Sequence, residues 1–246
     1  MSRPTRRTGV RPSLLALAAS LTAAALLSGC GVSDGDLRPG VAVSADGTDV
    51  SLTDVDEATE AVCSYLGSGE VEQFTPFPRA IQRQTTATVL LQEVALRALM
   101  SEQDLALPDD YGQTLSDLQA QFADLDDDVR DEVVDYATTN TYVGAAASAV
   151  GLAAFEAEDS APGSADIVQQ RGLTAAAAWL EDHDAVVNPV LGLALTESGP
   201  VPTDDDVSVA ASDRAVAGVL DLEDPAVTEK IAGLVATLPA EQVCGA

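Results

Sequence analysis

The sequence predicts a mainly α-helical domain with one small β-hairpin near its N-terminus. Apolar residues recur at i, i+3, i+4 and i+7 in successive stretches between residues 53 and 238. Apolar–polar alternation around a turn dipeptide is confined to residues 41–52. Clusters of Gly, Pro, Ser and Asp separate the helical stretches, most clearly at 67–78 and 156–164. No internal repeat and no second linker long enough to separate domains is present, so residues 41–246 read as a single domain.

Each element has its own signal. Val41, Val43, Val50 and Leu52 alternate around Asp46-Gly47, a pair suited to the positive φ angles of a two-residue hairpin turn. Thr53, with Asp56 three residues on, then reads as the N-cap of a helix carrying Val55, Ala58, Val62 and Leu66 on one face. Cys63 lies beside that stripe. A long helix is expected over 79–103, about 37 Å at 1.5 Å per residue. Its main stripe is Ile81, Thr85, Thr88, Leu91, Ala95 and Leu99, widened by Leu90 and Val94. Pro108 and Asp109-Asp110 open a third helix with Tyr111, Leu115, Leu118 and Phe122 in register. Asp124, Asp126 and Asp128 place negative charge at the start of a fourth, where the helix dipole favours it. Val129, Val133, Tyr136, Asn140, Val143, Ala147 and Val150 form its stripe, and residues 145–154 are small and apolar, suited to close helix packing. A fifth helix is expected over 165–180, interrupted or bent near Gly172. Val186-Val187 and residues 191–195 are strand-like. Asp224-Pro225 reads as the N-cap and first position of a last helix, with Val227, Ile231, Leu234 and Val235, that stops before Pro239.

The first thirty residues read as an address. Arg3, Arg6, Arg7 and Arg11 precede an apolar run over 13–27, and no acid occurs before Asp34. The run is shorter than a comfortable membrane span and ends in Leu27-Ser28-Gly29-Cys30. That tetrapeptide matches the bacterial lipobox. The match implies a lipoprotein signal peptide over 1–29, diacylglycerol on the Cys30 thiol and cleavage before it. Residues 30–40 have the composition of a flexible tether. The expected place is the outer face of the cytoplasmic membrane, held by the lipid on Cys30.

The 246 residues include 40 acidic and 12 basic side chains, a formal net charge of −28. Removing 1–29 discards four arginines and no acid, which leaves −32 over 217 residues. Such a charge repels phosphate backbones, so nucleic acid is not an expected partner. Three cysteines and one histidine exclude a multi-His metal site or a zinc ribbon, and no cofactor motif is present. With Cys30 taken by lipid, Cys63 and Cys244 remain as an even pair outside the reducing cytoplasm, where such pairs are usually bonded. A Cys63–Cys244 bridge is the expected arrangement, and two free buried thiols the alternative.

Catalytic groups are not legible. His183, the single histidine, stands in Glu181-Asp182-His183-Asp184 and reads as a solvated loop residue. The spacing of Asp124, Asp126 and Asp128 resembles a calcium loop, but Val129 stands where Gly is needed and Asp135 where Glu is needed. Helix N-terminal charge also accounts for Asp204-Asp205-Asp206. Trp179 and Tyr111, among apolar neighbours at helical spacing, read as core rather than ligand-stacking residues.

The order of lipobox, tether, hairpin at Asp46-Gly47, helix from Thr53 with Cys63, and long helix from Arg79 resembles the N-terminal region of SurA-like and PrsA-like extracytoplasmic foldases. In particular it resembles the SurA N-terminal-domain lipoproteins of high-GC Gram-positive bacteria. Asn188-Pro189-Val190-Leu191-Gly192 and Ser208-Val209-Ala210-Ala211-Ser212 are similar to segments of that group, although Val190 and Leu191 replace a basic and an aromatic residue. The resemblance implies a helical, chaperone-like holdase for secreted or unfolded polypeptides. Many relatives add a parvulin prolyl-isomerase domain; the chain after Ala154 has no matching β-rich segment and no paired histidines, so no enzymatic residues carry over. The other expectation is a structural or adaptor lipoprotein of a cell-envelope complex.

Overall fold

A computed structural model describes residues 38–203 and 226–245, apart from 70, 72 and 73. The lipobox with Cys30, most of the tether, Asp204–Asp206, the Ser208–Ser212 stretch and Asp224-Pro225 lie outside the described residues. The fold is mainly helical, with short strands.

Strands β1 (Val41–Ala45) and β2 (Thr48–Ser51) form the expected hairpin, with Ala45 opposite Thr48. Asp46 and Gly47 both take positive φ, 46° and 76°, the geometry that lets a two-residue turn follow the twist of its strands. β1 also pairs with β4 (Val186–Val187), giving a three-stranded antiparallel sheet in the order β2-β1-β4.

Helix α1 (Leu52–Gly67) starts directly from β2. Its N-cap is Ser51, two residues before the expected Thr53. The Ser51 hydroxyl accepts from the Asp54 amide, and the Asp54 carboxylate accepts from the Ser51 amide, each at 3.0 Å. Both Ser51-x-x-Asp54 and Thr53-x-x-Asp56 fit the capping-box pattern. The first prevails because Leu52 still donates to Gly40 in the sheet at 2.8 Å, while Asp56 turns outward to pair with Arg83 at 2.6 Å. The buried face accordingly runs through Val55, Thr59 and Cys63, with Ala58, Val62 and Leu66 only half-buried.

The two-residue strand β3 (Phe77–Pro78) leads into α2 (Arg79–Glu102), which spans the interior. Leu91, Ala95 and Leu99 are buried as expected, but the N-terminal half turns differently: Thr85 is exposed, and Gln82, Thr86, Ala87 and Val89 face inward. The two polar side chains can be buried because they satisfy each other, Gln82 Nε2 donating to Thr86 Oγ1 at 3.3 Å, and because both bond to Tyr136.

Helix α3 (Tyr111–Gln121) follows the expected register: Tyr111, Leu115 and Leu118 are its only unexposed positions, and Phe122 just beyond its end is buried. α4 (Asp127–Ala157) and α5 (Ala165–Asp182) make the closest crossing among the described helices. Here Gly172 does not bend or interrupt α5, which is continuous. It brings the two backbones together. A Cβ on Gly172 would overlap the Ala147 carbonyl, and one on Gly151 would overlap the Val168 carbonyl. Asn140, expected on the α4 stripe, is exposed, and Tyr142 and Ala146 are buried instead.

The 3-10 turn Pro189–Leu191 and the hairpin β5 (Leu193–Thr196) with β6 (Gly199–Pro202) complete this part; the expected strand-like run 191–195 is divided between turn and strand. Asn188 fixes the segment: its amide donates to Ala42 and its Nδ2 to Val41, both at 2.8 Å, while its Oδ1 accepts from Val190 at 3.1 Å. Gly192 follows in the left-handed region, φ 60°. Leu91 and Leu96 of α2, Val150 of α4, Leu180 of α5, Val43 of β1 and Val55 of α1 make one core. Ala61, Phe122 and Val133 make a smaller second one, closed by the Tyr65 ring edge-on to Phe122 at 5.2 Å.

The C-terminal arm consists of α6 (Val227–Val235), a 3-10 turn and β7 (Val243–Cys244). β7 pairs antiparallel with β3, Phe77 opposite Cys244. Cys63 and Cys244 form the expected disulfide, with Cα atoms 4.5 Å apart across a sequence separation of 181.

Candidate functional site

Three polar helix faces converge on one cleft. From α1 come Asp54 and Glu57, from α2 Glu93 and Arg97, and from α4 Glu132, Asp135, Thr139 and Tyr142; Asp49 of β2 closes one end. Spacings of three, four and seven put each set on one side of its helix. Leu90, Ala58 and Tyr136 form the apolar part of the wall, and the cleft holds about 510 Å³, within the range of ligand sites.

Six carboxylates and one guanidinium line this space. Asp49 is engaged by Arg38 and accepts from Ser44 Oγ at 2.8 Å, and Asp54 belongs to the α1 cap. Glu93 holds Arg97 through Nη2 at 2.6 Å and Nε at 2.9 Å. The Arg97 guanidinium also lies 4.2 Å above the Tyr142 ring, whose other neighbour is Tyr111, edge-on at 6.4 Å. Burial pushes the Tyr142 and Tyr136 phenols up from their ordinary values, Tyr142 against the opposing pull of Arg97, and Tyr136 against its bonds to Thr86 and Gln82. Both therefore remain neutral O–H groups at physiological pH. The arrangement offers negative charge and the aromatic wall of Tyr142, which suits holding a cationic group.

Of the residues singled out by sequence, Asp135 lines the cleft and Tyr111 packs on its Tyr142 wall; the others lie elsewhere. Cys63 and Cys244 are bonded to each other. Trp179 is buried, as expected, and its Nε1 donates to Glu102 at 2.9 Å. His183 is more ordered than a solvated loop residue: it follows the end of α5, stacks on Trp179 at 4.0 Å, and its Nδ1 lies 2.8 Å from the Trp179 carbonyl. Among the described residues no hydroxyl or thiol nucleophile is paired with it. Asp126 takes the N-cap position of α4, and Arg130 one turn on pairs with Asp127 at 2.7 Å, consistent with a helix-start role for these acids. Among the described residues no group of three or more His, Cys, Asp or Glu side chains is placed to hold a metal ion. None of their helices is long and apolar enough to cross a membrane.

The cleft brings together residues that lie far apart in the sequence. A usable signal existed in the repeat of Glu132, Asp135, Thr139 and Tyr142 along one side of α4, but the facing stripes on α1 and α2 acquire meaning only once the helices are oriented.

Comparison with protein-family models, curated proteins and solved structures yields no match to this chain.

Proposed function

We propose that this protein is a membrane-anchored extracytoplasmic lipoprotein that binds polypeptide without catalysis, acting as an adaptor in a cell-envelope complex. The observation that carries this reading is the cleft, an open, polar and sharply charged recess on a disulfide-tied helical body. The lipobox at Cys30 supports the anchor, and the order of elements supports kinship with SurA-like extracytoplasmic modules. A broad holdase needs contiguous apolar surface. The large apolar side chains exposed among the described residues are Leu152, Ile167 and Val190, distributed over α4, α5 and the 3-10 turn. That distribution favours a defined partner over many unfolded clients.

In-cell crosslinking followed by purification of the lipidated protein tests the adaptor reading. One partner polypeptide in fixed ratio is the expected result. Suppressed aggregation of several unrelated reduced clients, with no stoichiometric partner, would instead establish the holdase reading. Intact mass of the membrane-extracted protein checks the anchor: diacylglyceryl on Cys30 and loss of 1–29 are expected, and Cys30→Ala should abolish both.

A further inference from the structure

We propose that the cleft bounded by β2, α1, α2 and α4 receives a lysine or arginine side chain from a basic segment of the bound polypeptide. This rests on the polypeptide-binding reading above and names what that binding selects.

Charge is the first observation. Glu57, Glu132 and Asp135 line the cleft, are exposed, and have no ion-pair or hydrogen-bond partner among the described residues. Arg97, the cation in the wall, is already held by Glu93. These carboxylates are spread along the recess and do not converge as metal ligands. A dispersed negative field of this kind suits a cationic side chain arriving on a backbone. A second copy of this chain is a poor occupant, since the sequence after residue 29 carries −32.

The second observation is Tyr142. It is only 8 % exposed and lines the cleft, yet its hydroxyl bonds to no protein group among the described residues. Among the described residues no buried side-chain oxygen or nitrogen is both sealed from solvent and unpartnered. The hydroxyl therefore retains access to water, and the residue that carries it lines the cleft. An ammonium or guanidinium entering there could donate to the phenol oxygen while its charge meets Glu132 and Asp135. The wall already accepts this chemistry within the chain: Arg97 sits between a carboxylate and the Tyr142 ring.

Fluorescence anisotropy on the mature lipoprotein in detergent tests the proposal. The probes are a labelled lysine-rich peptide, a neutral peptide of equal length, a reduced unfolded protein and free spermine. Combined Glu132→Gln and Asp135→Asn should weaken the basic peptide about tenfold, as loss of paired charges does. Tyr142→Phe should weaken it about threefold without lowering the melting temperature, because no internal bond is lost. Arg97→Gln should strengthen it, since Glu93 is released. A remote pair, Asp166→Asn with Glu181→Gln on α5, should change binding less than about twofold. Equal losses from the cleft and remote pairs would overturn the proposal, as would spermine binding as tightly as the peptide. Binding of the unfolded protein or neutral peptide without preference for the basic one would overturn it while leaving polypeptide binding intact. No binding of any polypeptide would remove both.

Discussion

The α4–α5 crossing and the C-terminal arm are held by opposite means. At the crossing, Gly151 and Gly172 let two backbones touch, and Ala146, Ala147, Val150, Ala176, Ala177 and Leu180 bury their side chains there or beside it. In the arm, Cys244 is the one buried residue among those described. Val227, Ile231, Leu234 and Val235 form the expected apolar face of α6, but they remain half-exposed against β3. Close packing secures the first region and a covalent bond the second. A nine-residue helix with so little buried surface is marginal in water on its own.

Breaking the bond should have the largest effect. Cys244→Ser removes a cross-link spanning almost the whole domain, worth about 4–5 kcal/mol by chain-entropy arguments. Denaturant titration should show that loss. Hydrogen exchange should show 226–245 becoming nearly unprotected while α5 stays slow. Equal deprotection of both regions would erase the contrast.

Gly172→Ala attacks the other side. The added methyl meets a main-chain carbonyl that cannot rotate away, so the helices must separate, at about 3 kcal/mol. Thermal unfolding should reveal it, with the disulfide still intact in a non-reducing mass measurement. Ser51→Ala probes α1, whose N-terminus belongs to the packed body and whose Cys63 end belongs to the arm. Loss of the capping box should cost about 1 kcal/mol and leave arm protection unchanged.

Alkaline titration gives the smallest effect. The Tyr136 and Tyr142 phenols are raised by burial, so the folded state favours their protonated forms. The stability they contribute is complete below the unfolded value of about 10 and is lost as pH rises through the higher folded values. Tyr136→Phe should flatten the stability profile above that point, and phenolate absorbance should lag that of free tyrosine.

The same contrast explains what the sequence made legible. The α3 stripe was complete because that helix rests on the body with one side and its other positions face water. The first half of α2 departs from its apolar stripe because it is surrounded: Gln82 and Thr86 have the character of surface residues and are buried only because Tyr136 lies beside them. Gly172 looked like a break because glycine is permissive alone, and its use in packing depends on a second helix. Asn140 fell on the expected α4 stripe, yet the rotation of α4 leaves it exposed. The cleft depends on that same rotation, relative to α1 and α2, so in the sequence its carboxylates are visible only as net charge. The pair Cys63 and Cys244 is legible because the lipobox, once read, makes Cys30 a lipid site and leaves two thiols in an expected oxidising place.

The disulfide also gives the molecule a mechanical character. If residues 38 and 245 are pulled apart, tension passes from Cys63 to Cys244 through the bridge, and the enclosed chain bears none of it. At about 3.5 Å per extended residue, the separation of 181 conceals on the order of 600 Å of contour length. Only the segments outside the ring can lengthen: the sheet strands β1 and β2, the first turns of α1, and the last residues after Cys244. The carboxylates on α2 and α4 lie inside the ring. Under load the hairpin yields first and takes the Asp49, Asp54 and Glu57 side of the cleft with it, while the α2 and α4 walls keep their spacing as long as the bond holds.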